Sequence, residues 1–326
     1  MKLLALLLAV ALAWGTAGCG GPRGSLPPAA EGGSSPSSSL AGDAPPPPAQ
    51  EAPPPEESPD PPDPPEAPEA AGPRPEPWPG AMPLVNDYIA GEADRLLREI
   101  ITPEMDRYQQ VQTVYRWLVE NTAFFDNQPV GLEVWQWRGD IRQVPGYVEN
   151  RAISPLLFGI GSCEDYAAAA VVLLRRLGIP AEYVAGLTIS VRGDFVDHAW
   201  AVVQLDGQWY HIDPQLEDNV TRRGRLTYRF FLKGDQTMAA DHRWGENLIA
   251  YYGREMTAER AANIREHWRV PACPNSLPPP EPELLDEPPV PDRARVVEEL
   301  AAERRRWEAE HGPLPPVEMD VTPPVL

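Results

Sequence analysis

Three residues of this chain have the types and settings that thiol chemistry needs. Cys163 lies in GIGSCEDYAAAAVVLLRRLGIPA, His198 in VDHAWAVVQLDGQWY, and Asp213 in the HIDP that follows. A cysteine reacts as thiolate, and its pKa falls at a helix N-terminus, where unpaired N–H groups and the helix dipole favour negative charge. Ser162 followed by Asp165 marks such a start, a capping box with Asp where Glu or Gln is usual. Glu164 and Asp165 oppose ionisation of the thiol, so a neighbouring imidazolium is required, and His198 is the candidate. Asp213 would accept a hydrogen bond from one imidazole nitrogen, fixing the tautomer and leaving the other nitrogen to the thiol.

These residues need elements to hold them. A helix is expected from Ser162 or Cys163 to Leu177, ended by Gly178-Ile179-Pro180, and EYVAGLTI then reads as a strand. HAWAVVQL and QWYHID are strands separated by Asp206-Gly207, a strong short hairpin signal. A two-residue turn there pairs Leu205 with Gln208 and sets Trp200 opposite Asp213. His198 is then a diagonal neighbour of Asp213 on the same face, about 7–8 Å away at the backbone. A slip of one residue would turn Asp213 away.

Upstream, LVNDYIAGEADRLLREII reads as a helix, and Thr102-Pro103-Glu104 as the cap and first turn of the next. Val111, Val114, Tyr115 and Leu118 follow at helical spacing as core residues. The stretch from Thr122 to Gly161 reads as irregular, and its Trp135, Trp137 and Tyr147 could pack or line a cleft. One long helix ahead of an antiparallel sheet makes the fold class α+β.

Other candidates weigh less. His211 reads as a packed histidine, Asp194 and Asp197 as solvated loop residues, and His242 and His267 as structural. A metal site built on Cys163, His198 and Asp213 lacks CxxC, HxxxH or another ligand pair, so no metal is expected. Cys163 and Cys273 could alternatively form a disulfide in an oxidising compartment.

Together these segments resemble the transglutaminase-like superfamily, within the papain-like group of cysteine enzymes. The matching residues are Gly161-Ser162-Cys163 with Tyr166-Ala167, Leu177 to Ala181, Val184-Ala185-Gly186, His198-Ala199-Trp200, Asp206 to Tyr210, and Ile212-Asp213-Pro214. YRFFLKGDQTMAADHRW looks like an element that follows the aspartate in bacterial surface members, so the resemblance covers about residues 121 to 244. It implies a catalytic Cys163 at a helix N-terminus packed against an antiparallel sheet carrying His198 and Asp213. Cys163 would be the nucleophile, His198 general base and then acid, and Asp213 the orienting carboxylate, acting on amides through a thioester. Water as acceptor gives hydrolysis, and an amine gives acyl transfer. The resemblance implies no cofactor, and no calcium-loop pattern of acidic ligands is present. The Cys163 N–H is one oxyanion donor, and Gln128, Trp135, Gln136 or Gln143 could supply the other.

The chain ends carry no core. Of 326 residues 42 are proline, crowded into the two ends. Residues 1–19 read as a secretory signal ending in small residues before Cys19, like a bacterial lipobox, although Thr16 stands where leucine is usual. Cys19 is the expected lipidation site. Residues 20–80 are Pro, Glu, Ser, Gly and Ala, expected to be disordered because they cannot bury enough apolar surface. Extended at about 3.1 Å per residue, such a stalk reaches on the order of 150 Å. The folded domain is expected at 81–276, and 277–326 reads as a Pro/Glu-rich tail with an isolated short helix from Asp292 to about Glu310.

The formal charge of −20 with no basic stripe excludes nucleic acid and anionic lipid as partners. RRGR at 222–225 and ERRR at 303–306 are too short to change that. The expectation is a monomeric, extracytoplasmic enzyme, held to the membrane through Cys19 or secreted if that site is unused, with protein or cell-wall peptides as substrates. A noncatalytic surface binding module and a peptidoglycan endopeptidase of the Cys-His-His type are the alternatives.

Overall fold

Asn86 accepts a hydrogen bond from the Ile89 N–H and starts α1 (Asp87–Ile100). Asp106 and Gln109 form a reciprocal capping box that starts α2 (Arg107–Asn121). The restart expected at Thr102-Pro103-Glu104 is thus displaced: those residues make the interhelical turn, and Asp106 is the cap. The computed structural model describes residues 76–221, 224–286 and 288–318. The signal segment, Cys19 and linker residues 20–75 lie outside the described residues.

After β1 (Ala123–Phe124), the stretch expected to be irregular holds α3 (Trp135–Arg138) and α4 (Tyr147–Phe158). Pro155 lies inside α4 and disguises it, because proline withdraws an N–H and crowds the preceding turn. The helix is held nonetheless by its buried face of Asn150, Ala152, Ile153 and Ser154, and Gly159 closes it in the left-handed conformation at φ 60°. Trp135 and Trp137 pack with Ile89, Val134, Ile153 and Leu300, so they are core residues and do not line a cleft.

β2 (Ile160–Gly161) pairs in parallel with β1 and leads directly into α5 (Cys163–Arg176). Then β3 (Ala181–Ile189), β4 (Phe195–Leu205) and β5 (Gln208–Ile212) form an antiparallel meander. Asp206 and Gly207 both take positive φ, 48° and 77°, as a primed two-residue turn demands. The resulting register sets Leu205 opposite Gln208 and Ala201 opposite Ile212, as the turn predicts. α6 (Pro214–Thr221), β6 (Arg225–Leu226) and α7 (Asp235–Met238) follow, and β7 (His242–Arg243) returns to the far edge of β3. The sheet order is β5-β4-β3-β7, and the fold is α+β.

Alternation with period two divides the sheet. Ala201, Val203, Leu205 and Ile212 face the main core with α1, α2 and α5, while Val184, Trp200 and Val202 face a second core with Phe230, Met238 and Cys273. Gly186 lets β7 and the Trp200 ring close over β3, since a Cβ there would stand 2.1 Å from the Arg243 carbonyl oxygen and 2.7 Å from the indole. Gly186→Ala is therefore expected to cost about 1–3 kcal/mol. Urea unfolding measures this, and an unchanged midpoint would mean that β7 can shift without loss.

The C-terminal segment extends the domain. α8 (Gly245–Tyr252) and α9 (Ala258–His267) pack together beside β3, and β8 (Glu283–Leu284) pairs with β6. α10 (Arg293–His311), capped by Asp292 as expected, is not isolated. It buries Leu300, and Glu303 accepts from Trp137 Nε1 at 2.7 Å and pairs with Arg138 at 2.5 Å. Among the described residues no helix is long and apolar enough to cross a membrane.

Candidate active site

Cys163 is the first residue of α5 and partly exposed. The expected capping box forms, with the Ser162 N–H and hydroxyl both donating to Asp165 Oδ2, at 2.7 and 3.0 Å. No disulfide joins Cys163 to Cys273. Cys273 lies in the second core, its thiol donating to the Pro271 carbonyl at 3.4 Å. Burial, reinforced by Asp235, pushes that thiol up to about 12, so Cys273 is chemically inert.

The two acids beside Cys163 are not left to repel a thiolate. Arg151 of α4 pairs with Glu164, sets Nε 2.8 Å from Asp165 Oδ1, and donates to the Ser162 hydroxyl at 2.9 Å. The Tyr147 hydroxyl donates to Glu164 Oε1 at 2.7 Å. Burial pushes Asp165 up to about 6, against the opposing pull of Arg151 and Ser162. Tyr183 of β3 adjoins this group: burial raises its phenol well above the usual range, and Tyr147, Glu164 and the Cys163 thiol add to the shift. Sequence reasoning missed Arg151, and left Tyr147 as an aromatic that could pack or line a cleft, because α4 went unread. Their spacing of four residues was a usable signal, since it places both on one helix face.

His198 and Asp213 come together as the hairpin register requires. His198 Nε2 stands 2.7 Å from Asp213 Oδ2, and both side chains are fully buried. Asp213 Oδ1 accepts the Leu216 N–H at 2.9 Å, so the carboxylate also caps α6. Burial opposes its charge, but His198 and His242 outweigh burial and hold Asp213 well below the usual carboxylate range. The Trp200 indole stacks on the His198 ring, 5.9 Å between centroids and 20° between planes, which fixes the ring's orientation.

Two histidines set aside on sequence grounds join this network. His242 Nε2 reaches the same Asp213 oxygen at 3.1 Å, and its Nδ1 meets Asp241 Oδ1 at 2.8 Å. His211 is fully buried, as expected of a packed residue. Trp200 Nε1 donates to its Nδ1 at 2.9 Å, and its Nε2 faces Asp235 Oδ1 at 3.0 Å. Burial lowers the His211 pKa, with Asp235 pulling the other way. Asp194 and Asp197 are exposed, Asp197 on β4 instead of in a loop, and His267 is exposed on α9.

Among the described residues two clusters gather three possible metal ligands each: His198, Asp213 and His242, and His211, Asp235 and Cys273. Both are hydrogen-bond networks as they stand. In the second, the indole occupies Nδ1, so Nε2 carries the proton and offers no lone pair. In the first, one carboxylate oxygen lies at hydrogen-bond distance from both imidazoles. Of the four residues considered for the second oxyanion donor, Trp135 is buried in the core and Gln143 is committed to Asp87 of α1.

The family model of the transglutaminase-like superfamily matches residues 94–214, a span that contains Cys163, His198 and Asp213. No curated protein matches the chain. Among solved structures, a candidate cysteine protease from Cytophaga hutchinsonii is 20% identical with a TM-score of 0.28, over 38% of this chain and 37% of that one. A TGase is 19% identical with a TM-score of 0.29, over 39% of this chain and 31% of that one. The chain thus spans well under half the length of these two structures.

Proposed function

We propose that this protein is a surface-tethered cysteine enzyme of the transglutaminase-like superfamily, whose family model matches residues 94–214. It acts on amide bonds of proteins or cell-wall peptides through a thioester acyl-enzyme. The single observation that supports this best is the fully buried His198–Asp213 pair at 2.7 Å, on a sheet against which the Cys163 helix packs. A buried imidazole–carboxylate pair orients a base for proton transfer, and a binding module has no use for it. The sequence before Cys19 supports the tether.

In this reading His198 accepts the Cys163 proton through the nitrogen not facing Asp213, and Asp213 stabilises the imidazolium that forms. The sulfur adds to the amide carbonyl carbon, and the Cys163 N–H at the helix start stabilises the oxyanion. His198 then gives its proton to the departing nitrogen as the C–N bond breaks, leaving a thioester. Water or an amine, deprotonated by His198, attacks the thioester carbonyl, and the thiol is regenerated.

Mass spectrometry of surface and wall peptides treated with wild-type and Cys163→Ala protein tests this. Cleavage, conversion of glutamine to glutamate, or crosslinking with loss of ammonia should occur with wild type alone. Turnover retained by Cys163→Ala would rule the proposal out. Iodoacetamide labelling of Cys163 should also depend on His198, and a thiol indifferent to His198→Ala would favour the binding module.

A further inference from the structure

We propose that His242 is a positioning residue for this reaction, an imidazolium held between Asp213 and Asp241 that fixes the Asp213 carboxylate and sets the proton affinity of His198. The inference rests on the reading of Cys163, His198 and Asp213 given above. His242 is fully buried, and each of its ring nitrogens faces a carboxylate oxygen, Asp213 Oδ2 at 3.1 Å and Asp241 Oδ1 at 2.8 Å. A neutral imidazole has one N–H and one lone pair, and a lone pair facing a carboxylate is repulsive. Two protons on the ring satisfy both contacts.

The groups around the ring agree with a cation there. Asp213 lies on one side and Asp241 on the other, with Arg229 reaching Asp241 at 3.4 Å from outside. Trp200 presents its ring 4.9 Å away at 67°, and Phe230 stands 5.8 Å away. Thr188 pairs with His242 across β3, and the Arg243 guanidinium turns away to lie over Phe195. His198, 5.6 Å between ring centroids, is the nearest other imidazole, and His211 lies beyond Trp200.

The chain Asp241–His242–Asp213–His198 therefore alternates charge toward the reacting pair. His242 occupies one acceptor direction of Asp213 Oδ2 and leaves the other to His198, so the carboxylate cannot rotate away. Its positive charge also limits how strongly His198 holds a proton. That keeps the imidazole able to release the proton to a leaving nitrogen.

The test uses the full chain carrying Cys163→Ala, with His242 assigned among the five histidines by sequential connectivities. Long-range 1H–15N spectra at pH 7 should place both His242 nitrogens in the protonated range. A lone-pair nitrogen on that ring overturns the proposal. Adding His242→Gln, whose amide can still donate to Asp213, should raise the His198 titration midpoint by about half a unit to two units. That is the range a unit charge at 5.6 Å gives between water-like and interior screening. An unmoved midpoint also overturns it. In otherwise wild-type protein, His242→Gln should lower kcat/KM by about tenfold, mostly in kcat. The spectra read a protein that cannot turn over, so their failure counts against His242 alone. Turnover by Cys163→Ala would instead count against the site.

Discussion

Asp213→Asn is expected to lower kcat/KM by about 10⁴-fold while leaving Cys163 in place, the scale seen when a triad carboxylate becomes an amide. The isosteric change cannot satisfy the donors that meet at this side chain. Oδ2 accepts from His198 and His242, and Oδ1 accepts from the Leu216 N–H. If the amide oxygen keeps the Leu216 bond, its NH₂ faces two imidazole nitrogens. It then drives the His198 proton onto the nitrogen that should receive the thiol's proton. If the oxygen turns to the imidazoles, the NH₂ opposes the Leu216 N–H and the cap of α6 is lost. Either way the negative charge that stabilises the imidazolium is gone. Steady-state rates on the peptide identified by mass spectrometry measure the effect, with thermal unfolding as control for the cap. A variant within tenfold of wild type would show that Asp213 serves the fold only. It would also return attention to a Cys-His-His enzyme, which needs a third group other than this carboxylate.

What the sequence disclosed about the site was what local rules control. The Asp206-Gly207 turn sets the register, and that register brings Asp213 to the His198 face. The start of α5 was legible because Ser162 and Asp165 cap it by contacts three residues apart. His242 was not legible, since it meets Asp213 across 29 residues through a two-residue strand whose place depends on the return path of the chain. No periodicity can declare so short an element. α4 was hidden by Pro155, whose intrinsic cost is outweighed by tertiary burial of the helix face. The docking of α10 was equally out of reach. Its sequence is mostly charged, and the residues that hold it to the domain, among them Leu300, Glu303, Val296 and Trp307, meet partners far upstream.

Arg151→Met should be the costliest single substitution for stability near the site, by about 3–5 kcal/mol at pH 8, the usual result of breaking a buried ion pair from one side. Methionine replaces much of the aliphatic volume but leaves Asp165, with no exposed side-chain surface, charged beside Glu164. The pH dependence separates this cause from simple loss of packing. Asp165 in the folded protein is pushed up to about 6, above the ordinary carboxylate value, so from about pH 4 to 6 the native state binds more protons than the unfolded chain. Its contribution is fully present below the unfolded value and declines as pH rises through the folded one. Without the guanidinium the folded value climbs further, so at pH 5 a proton neutralises the stranded carboxylate. Urea unfolding should therefore show a deficit that is large at pH 8 and narrows at pH 5. A deficit equal at both would assign the loss to packing. The same charges stand in the first turn of α5 with Cys163, so losing Arg151 should also raise the thiol's pKa and slow its alkylation at pH 7. Arg151 thus converts a helix start that opposes a thiolate, as its acids alone would make it, into one that tolerates it.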